Sequence, residues 1–232
     1  MTSQNPTDPR HVESWVFDLD NTLYPASSSL FPQIDVRMRQ FIAERLKLPL
    51  DDAYVLQKRY YREYGTTLSG LMRVHGLEPD AFLDYVHDID HTVLDVAPAL
   101  DAVLARLPGR KLIFTNGSER HAINVMERLG IAHHFDGIFD IAAACFIPKP
   151  QPECYTAMVK RLGIVAARSA MVEDIHRNLV PAAALDMTTV WVRQAGHPDF
   201  HVLGQDDTDL SHVHHITDDL VGWLEGVAPP EK

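Results

Sequence analysis

Asp18 and Asp20 stand one residue apart at the end of the short run Trp15-Val16-Phe17, with Thr22 two positions further on. The run is apolar, aromatic and β-branched, which predicts a buried strand over 15–19. Two like charges at the end of such a strand repel each other and resist desolvation. A divalent cation held by oxygen ligands would offset both effects. Taken alone, the stretch also fits a polar loop after a core strand.

Three more stretches carry chemistry of the same kind. Thr115-Asn116-Gly117-Ser118 precedes a predicted helix, Lys149 lies between Pro148 and Pro150, and Glu173-Asp174 is followed by Asn178. Each has an ordinary reading by itself: a turn with a helix cap, a solvated loop charge, acids favoured at a helix start, a local cap amide. Arriving in this order they suit phosphoryl transfer. Mg²⁺ takes about six oxygen ligands and is usually held by one or two carboxylates with phosphate and water. Asp18 and Asp174 could hold it from opposite sides, with Glu173 reaching it directly or through water. A carboxylate can also be the nucleophile, forming an aspartyl-phosphate that divides hydrolysis into two steps. A metal ion and a lysine then reduce the repulsion between anionic nucleophile and anionic phosphate. Thr115 and Asn116, with the free amides of a helix start, form a cradle for phosphate oxygens.

The elements between these residues must bring them to one edge. Ile34, Met38, Phe41, Ile42 and Leu46 recur at helical spacing. Tyr54, Leu56, Tyr60 and Tyr61 begin a second helical run, and 81–89 continues it after a start signal at Pro79-Asp80. No strand is predicted from Phe31 to about His91. Beyond Val96 the pattern alternates. Helices are predicted over 99–107, 119–129, 152–162, 178–185 and 217–224, and strands over 111–115, 137–141, 170–172 and 188–192. Short strands alternating with helices mean right-handed crossovers and a mostly parallel sheet. The fold class is therefore α/β, a Rossmann-like core with a helical unit inserted after the first strand. In such sheets the ligand site lies beyond the carboxyl ends of the strands.

Composition narrows the partners. The 232 residues carry 46% hydrophobic and 23% charged side chains, ordinary for a soluble globular chain. A net charge of −11 repels polyanions, which argues against a nucleic-acid polymer or an anionic membrane surface and leaves a small phosphorylated metabolite. Cys145 and Cys154 form no CxxC pair, as expected in a reducing compartment. The polar start, Met1 to Pro9, has no apolar signal core, and no stretch approaches the ~18 apolar residues of a membrane span, so a cytoplasmic location is expected. His133-His134 and the group His212, His214 and His215 read as solvated surface runs rather than metal clusters.

In order and spacing, Asp18-x-Asp20-x-Thr22, Thr115-Asn116, Lys149 and Glu173-Asp174 resemble the four motifs of the haloacid dehalogenase superfamily, over about 16–192. The string from Asp18 to Tyr24-Pro25, the segment Tyr64-Gly65-Thr66-Thr67-Leu68 with Gly70-Leu71, and Glu173-Asp174 followed by Asn178-Leu179 resemble its pyrimidine 5′-nucleotidase subgroup. The resemblance implies a catalytic core over 12–25 and 95–232 and a mobile helical cap over 26–94 that closes on the site. It implies Asp18 as nucleophile and Mg²⁺ ligand. Asp20 would protonate the leaving oxygen, later activate water, and bind Mg²⁺ through its backbone carbonyl. Thr115, Asn116 and Gly117 would bind the phosphoryl group, Lys149 would be the catalytic cation, and Asp174 would complete the metal site. Glu173 replaces the aspartate found there in many members. Dehalogenases of the superfamily typically lack an acid at the position of Asp20, which turns the comparison towards phosphatases and phosphomutases. Candidate substrate-selecting residues are Tyr24, Tyr60, Tyr61, Tyr64, Thr66, Arg73 and His75; the tyrosines would equally pack the cap's own core.

The expected function is a Mg²⁺-dependent phosphomonoesterase, a monomer or small homo-oligomer, acting on a small phosphate ester with a pyrimidine nucleoside 5′-monophosphate as first candidate. A sugar-phosphate phosphatase or a phosphomutase is the alternative enzyme. A receiver-like phospho-accepting signalling module also combines acids, a metal, a threonine and a lysine. The helical insertion and Asp20, which would speed loss of the phosphoryl group, argue against it.

Overall fold

Strand β1 (Ser14–Phe17) is buried along its whole length. The computed structural model describes residues 9–194 and 209–230, so the polar start at 1–8 and the segment 195–208 of the expected core lie outside the described residues. Within them, β2 (Arg110–Phe114), β3 (Gly137–Phe139), β4 (Ser169–Glu173), β5 (Thr188–Val192) and β6 (His215–Thr217) join β1 in one sheet of order β3-β2-β1-β4-β5-β6. Every neighbouring pair is parallel. β1 is central: Val16 faces Leu112 on one side and Met171 on the other.

Side chains alternate across a strand, and the sequence uses both faces. Trp15, Phe17, Ile113, Ala170, Val172, Val190 and Val192 point into one core with helices α5 (Pro98–Arg106), α6 (Glu119–Leu129) and α9 (Leu220–Val227). Val16, Leu112, Phe114, Met171 and Trp191 point into the other with α7 (Pro152–Leu162) and α8 (Leu179–Ala184). The result is a three-layer α/β/α arrangement, as expected. The chain leaves β1 towards β2 and β3 and then crosses to β4 and β5. The reversal at β1 opens a crevice at the carboxyl ends of β1 and β4.

Between β1 and β2 run α1 (Leu30–Leu46), α2 (Leu50–Tyr64), α3 (Thr67–His75) and α4 (Pro79–Val86). They share a third apolar cluster that includes Ile34, Phe41, Ile42, Tyr60, Leu71 and Phe82, joined from the sheet side by Ile141. α2 and α3 meet closely at Gly70, where a Cβ atom would fall 2.4 Å from Tyr60 Cβ.

Two expectations are corrected. Thr217 ends an edge strand, His215–Thr217, rather than starting the last helix, and α9 begins at Leu220 behind its cap Asp219, whose Oδ1 accepts from Gly222 N at 3.0 Å. The histidine run is also not merely solvated. His214 Nδ1 accepts from Thr189 N at 3.0 Å, which ties the edge to β5, and His212 Nε2 lies 2.9 Å from the His176 carbonyl in the turn after β4. His133 and His134 converge on Asp101 Oδ1 at 3.2 and 2.7 Å, with His133 exposed. Among the described residues no helix is long and apolar enough to cross a membrane.

Candidate active site

Three of the four sequence stretches reach the carboxyl edge because each directly follows a strand. Asp18 is the first residue past β1, and its N–H still donates to Val172 O at 2.9 Å, in line with β4. Thr115 is the first past β2, with its N–H on Phe139 O at 3.1 Å. Glu173 closes β4 and Asp174 follows, its carbonyl accepting from Trp191 Nε1 at 2.9 Å. Lys149 arrives from the loop ahead of α7. Its backbone N–H donates to Asn116 Oδ1 at 2.8 Å, which binds that loop to the end of β2.

The Lys149 ammonium is 2% exposed and stands between two acids. Nζ donates to Asp18 Oδ1 and to Glu173 Oε2, each at 2.7 Å, and to the Phe114 carbonyl at 3.0 Å. Thr22 Oγ1 lies 3.0 Å from Asp18 Oδ2 and 3.3 Å from Asp174 Oδ1. Asp18, Glu173 and Asp174 are all buried, and each offers an oxygen within 4.8 Å of the others. One ammonium among three such carboxylates leaves the cluster negative. Burial and the charge of Glu173 push Asp18 up to about 7. Burial does the same to Glu173, to about 7, against the attraction of Lys149 and with the help of Asp174. Lys149 resists deprotonation despite its burial, because the two acids hold its proton. An all-oxygen donor set with excess negative charge fits a hard divalent cation such as Mg²⁺, with Asp18, Glu173 and Asp174 able to hold it.

Asp20 has the opposite surroundings. Burial would raise it, but His121 and the Tyr24 hydroxyl hold it down to about 2. Its Oδ1 accepts from Tyr24 at 2.5 Å and lies 2.8 Å from His121 Nε2. Next to the acids, Ser118 caps α6 by accepting from His121 N at 3.3 Å, and Gly117 N turns onto Thr115 Oγ1 at 2.9 Å. A Cβ on Gly117 would come within 3.2 Å of Thr115 Oγ1 and 3.3 Å of the His121 ring, so a larger residue there would have to push one of them aside.

One cavity joins these groups. Its floor is Asp18, Asp20, Thr115, Asn116, Gly117, Lys149, Glu173 and Asp174. The opposite wall comes from the helical unit, with Phe31, Ile34, Met38, Phe82, Leu83 and Val86 as its apolar part. Asp35, Gln57, Lys58, Tyr61, Thr66 and His87 add polar groups, and Arg177 closes the side. Asp35 Oδ1 gathers Lys58 Nζ at 2.6 Å and Gln57 Nε2 at 2.8 Å, and the Arg177 guanidinium lies 5.3 Å over the Tyr61 ring.

The structure thus brings together Asp18, Asp20, Thr115, Asn116, Gly117, Lys149, Glu173 and Asp174. Tyr61 and Thr66 also face the cavity. Tyr24, Tyr64 and Arg73, expected to contact substrate, are not among its lining residues. Tyr24 is buried behind Asp20, because the turn after β1 folds its ring into the core of α5 and α6. Arg73 is exposed on α3, with its guanidinium 5.8 Å over the Tyr64 ring, and Tyr64 packs edge-on against Tyr60. Tyr60 itself is buried, its hydroxyl 2.7 Å from His75 Nε2. Sequence reasoning missed Asp35, Gln57, Lys58, His87, His121 and Arg177. For His121 a signal existed: it shares the helical face of Ala122, Val125 and Met126, so the period put an ionisable ring at a core position.

A family model described as haloacid dehalogenase-like hydrolase matches residues 15–186. Phosphate metabolism protein 8 of Saccharomyces cerevisiae is 30% identical over 74% of the chain; the chain spans only 58% of that protein. Glyceraldehyde 3-phosphate phosphatase of Methanopyrus kandleri is 25% identical over 84% of the chain and 90% of its own length. Among solved structures, an HAD phosphatase from Thermococcus onnurineus superposes with a TM-score of 0.63 at 17% identity, covering 93% of this chain and 97% of that one.

Proposed function

The chain belongs to the haloacid dehalogenase-like hydrolases, and from that premise we propose a Mg²⁺-dependent phosphomonoesterase that works through an aspartyl-phosphate on Asp18. Its substrate class is a nucleoside 5′-monophosphate. The observation that carries the reading is the buried contact of Lys149 with both Asp18 and Glu173, beside Asp174, at the carboxyl edge of the sheet.

Asp18 is the nucleophile: a carboxylate oxygen bonds to phosphorus as the ester P–O bond breaks. Asp20 gives a proton to the leaving alkoxide, then takes one from the water that releases phosphate and regenerates Asp18. Lys149 keeps the Asp18 carboxylate oriented and offsets charge on the transferring group. The Thr115 hydroxyl and the amides near Gly117 bind phosphoryl oxygens. Asp18, Glu173 and Asp174, with the Asp20 carbonyl that the resemblance adds, would hold Mg²⁺, which would supply the positive charge that the cluster lacks. Residues 26–94 serve as the cap over the core of 12–25 and 95–232. Their apolar wall gives a flat, weakly polar leaving group a surface to lie on, and Asp35, Gln57 and Lys58 offer it hydrogen bonds.

A sugar-phosphate substrate is the second reading, favoured by the name of the Methanopyrus kandleri relative and by Lys58 and Arg177 at the cavity. Phosphate release from a panel of nucleoside 5′-monophosphates and triose or hexose phosphates, with Mg²⁺ and with chelator, separates the two. Nucleotides should head the panel, and Asp18→Asn should be silent. Turnover by that variant, or full activity in chelator, would sink the mechanism.

A further inference from the structure

Asp20 is held by two residues outside the phosphate cradle. Tyr24, in the turn after β1, and His121, in the first turn of α6, both meet its Oδ1, at 2.5 and 2.8 Å. A carboxylate oxygen accepts about two hydrogen bonds, so Oδ1 is filled and Oδ2 is the atom left to meet a ligand. Asp20 lines the cavity, whereas Tyr24 and His121 do not.

The grip is itself fixed. His87, directly after α4, stacks on His121 with ring centroids 4.4 Å apart and planes 8° from parallel. Its Nδ1 lies 2.9 Å from Ser118 Oγ. Ser118 Oγ also accepts from His121 N at 3.3 Å, so one hydroxyl ties His87 to the first turn of α6 that carries His121. The imidazole of His121 is 0% exposed, and its Nδ1 has no hydrogen-bond partner among the described residues. A buried ring with an unmet nitrogen is a poor choice for packing alone, where an apolar ring would cost nothing in desolvation. What His121 adds over a phenyl ring is a nitrogen, Nε2, in hydrogen-bond contact with Asp20.

We propose that His121 and Tyr24 are positioning residues for Asp20, pinning Oδ1 so that Oδ2 faces first the leaving oxygen of the ester and then the attacking water. The inference rests on the reading of Asp20 as the proton-transferring acid and base. Proton transfer needs donor and acceptor within hydrogen-bond reach at the moment of bond cleavage, and a carboxylate free to rotate would miss it.

The test compares kcat/KM for p-nitrophenyl phosphate and phenyl phosphate, measured on the full chain with Mg²⁺. The esters are close in shape. Nitrophenolate leaves without a proton, but phenol, about as weakly acidic as tyrosine at about 10, needs one. Asp20→Asn should lose far more on phenyl phosphate than on the nitrophenyl ester. His121→Phe should follow it, losing about 100-fold on phenyl phosphate and no more than about fivefold on the other. Tyr24→Phe, which removes a single oxygen and keeps the packing, should show the same bias at about tenfold. His121→Gln restores a donor and should return phenyl phosphate activity to within about tenfold of the original. Equal losses on both esters in His121→Phe and Tyr24→Phe, or a His121→Gln no better than His121→Phe, overturn the proposal. If His121→Phe does not fold, Tyr24→Phe and His121→Gln decide. A native protein that releases phosphate from neither ester fails at the level of the phosphatase reading; one that is active but whose variants lack the bias loses only the positioning role.

Discussion

Replacing Lys149 with methionine keeps most of the unbranched side chain and removes its charge. The ammonium that disappears has two carboxylate contacts at 2.7 Å and one carbonyl contact at 3.0 Å, all buried. Removing one side of such a buried pair costs about 3–5 kcal/mol when the acids stay ionised. They can instead keep their protons, which makes the cost depend on pH. Burial and neighbouring carboxylates already raise Asp18 and Glu173 to about 7. A folded value above the unfolded one means stability that is fully present below about pH 4 and is lost as pH rises through about 7. Without Lys149 both acids rise further, so the variant should lose stability with pH more steeply than the parent. At pH 5 both acids are protonated in either protein, and the difference should be no more than about 1 kcal/mol. At pH 8 it should reach about 3–5 kcal/mol. For a chain of this size 1 kcal/mol moves Tm by about 2–4 °C, so the drop should be roughly 6–20 °C at pH 8 and at most about 4 °C at pH 5. Thermal unfolding followed by circular dichroism in chelator reads both. Equal drops at the two pH values would refute the electrostatic account and leave only lost packing.

Asp18→Asn removes one of three crowded acids without changing its shape. It should cut phosphate release at least about a thousandfold while raising the metal-free stability at pH 8 by about 1–2 kcal/mol; a lower Tm than the parent would contradict the crowding. Saturating Mg²⁺ should stabilise the protein by about 3 kcal/mol at a hundredfold excess over Kd at pH 8, and far less at pH 5, where protons occupy Asp18 and Glu173; melting curves with and without Mg²⁺ showing the same gain at both pH values would count against these ligands. Gly70→Ala places a Cβ 2.4 Å from Tyr60 Cβ, an atom tied to the backbone of α2. The helices must part, at about 1–3 kcal/mol, visible as a lower Tm; an unchanged Tm would show that α2 and α3 have room to slide.

The floor of the site was legible because two regularities coincide. Buried strands show as short apolar runs, and parallel sheets place ligands past their carboxyl ends, so Asp18, Thr115 and Asp174 could be found by reading the next residue. The opposite wall was not legible. Helical spacing marks which face of α1 or α2 is buried, but both its own cluster and the cavity lie on apolar faces. Nothing in the pattern tells Ile34, on the cavity, from Phe41, in the cluster alone. Asp35, Gln57 and Lys58 are positioned by that unpredicted docking. Helix α3 was legible in principle: Thr66 Oγ1 caps Ser69 N at 3.1 Å and Gly76 ends the helix at positive φ, both ordinary start and stop signals. Strand β6 was not, since His-Ile-Thr is too short to show a period and sits at an edge.

Asp18 and Asp20 differ less in sequence than in what surrounds them. Asp18 shares its space with Glu173 and Asp174, which favours the proton-bound form; Asp20 meets two donors, which favour the ionised one. Groups pushed apart in this way can take different tasks at one pH. The directions set an order on the chemistry. In the proposed mechanism, Asp20 held ionised at rest would be the base needed for water attack, and would have to be raised before it could act as an acid. On the proposed reading, a phosphate ester bound at Thr115 and Gly117 would bring negative charge beside it, and a nearby like charge raises a carboxyl group. The same charge would oppose Asp18, but there Lys149 and, in the proposed mechanism, a bound divalent cation would offset it. In the mechanism we propose, substrate binding would therefore prepare Asp20 to give a proton and leave Asp18 free to attack. Departure of the alcohol and consumption of that proton return Asp20 to its resting base form, ready for the water that completes the cycle.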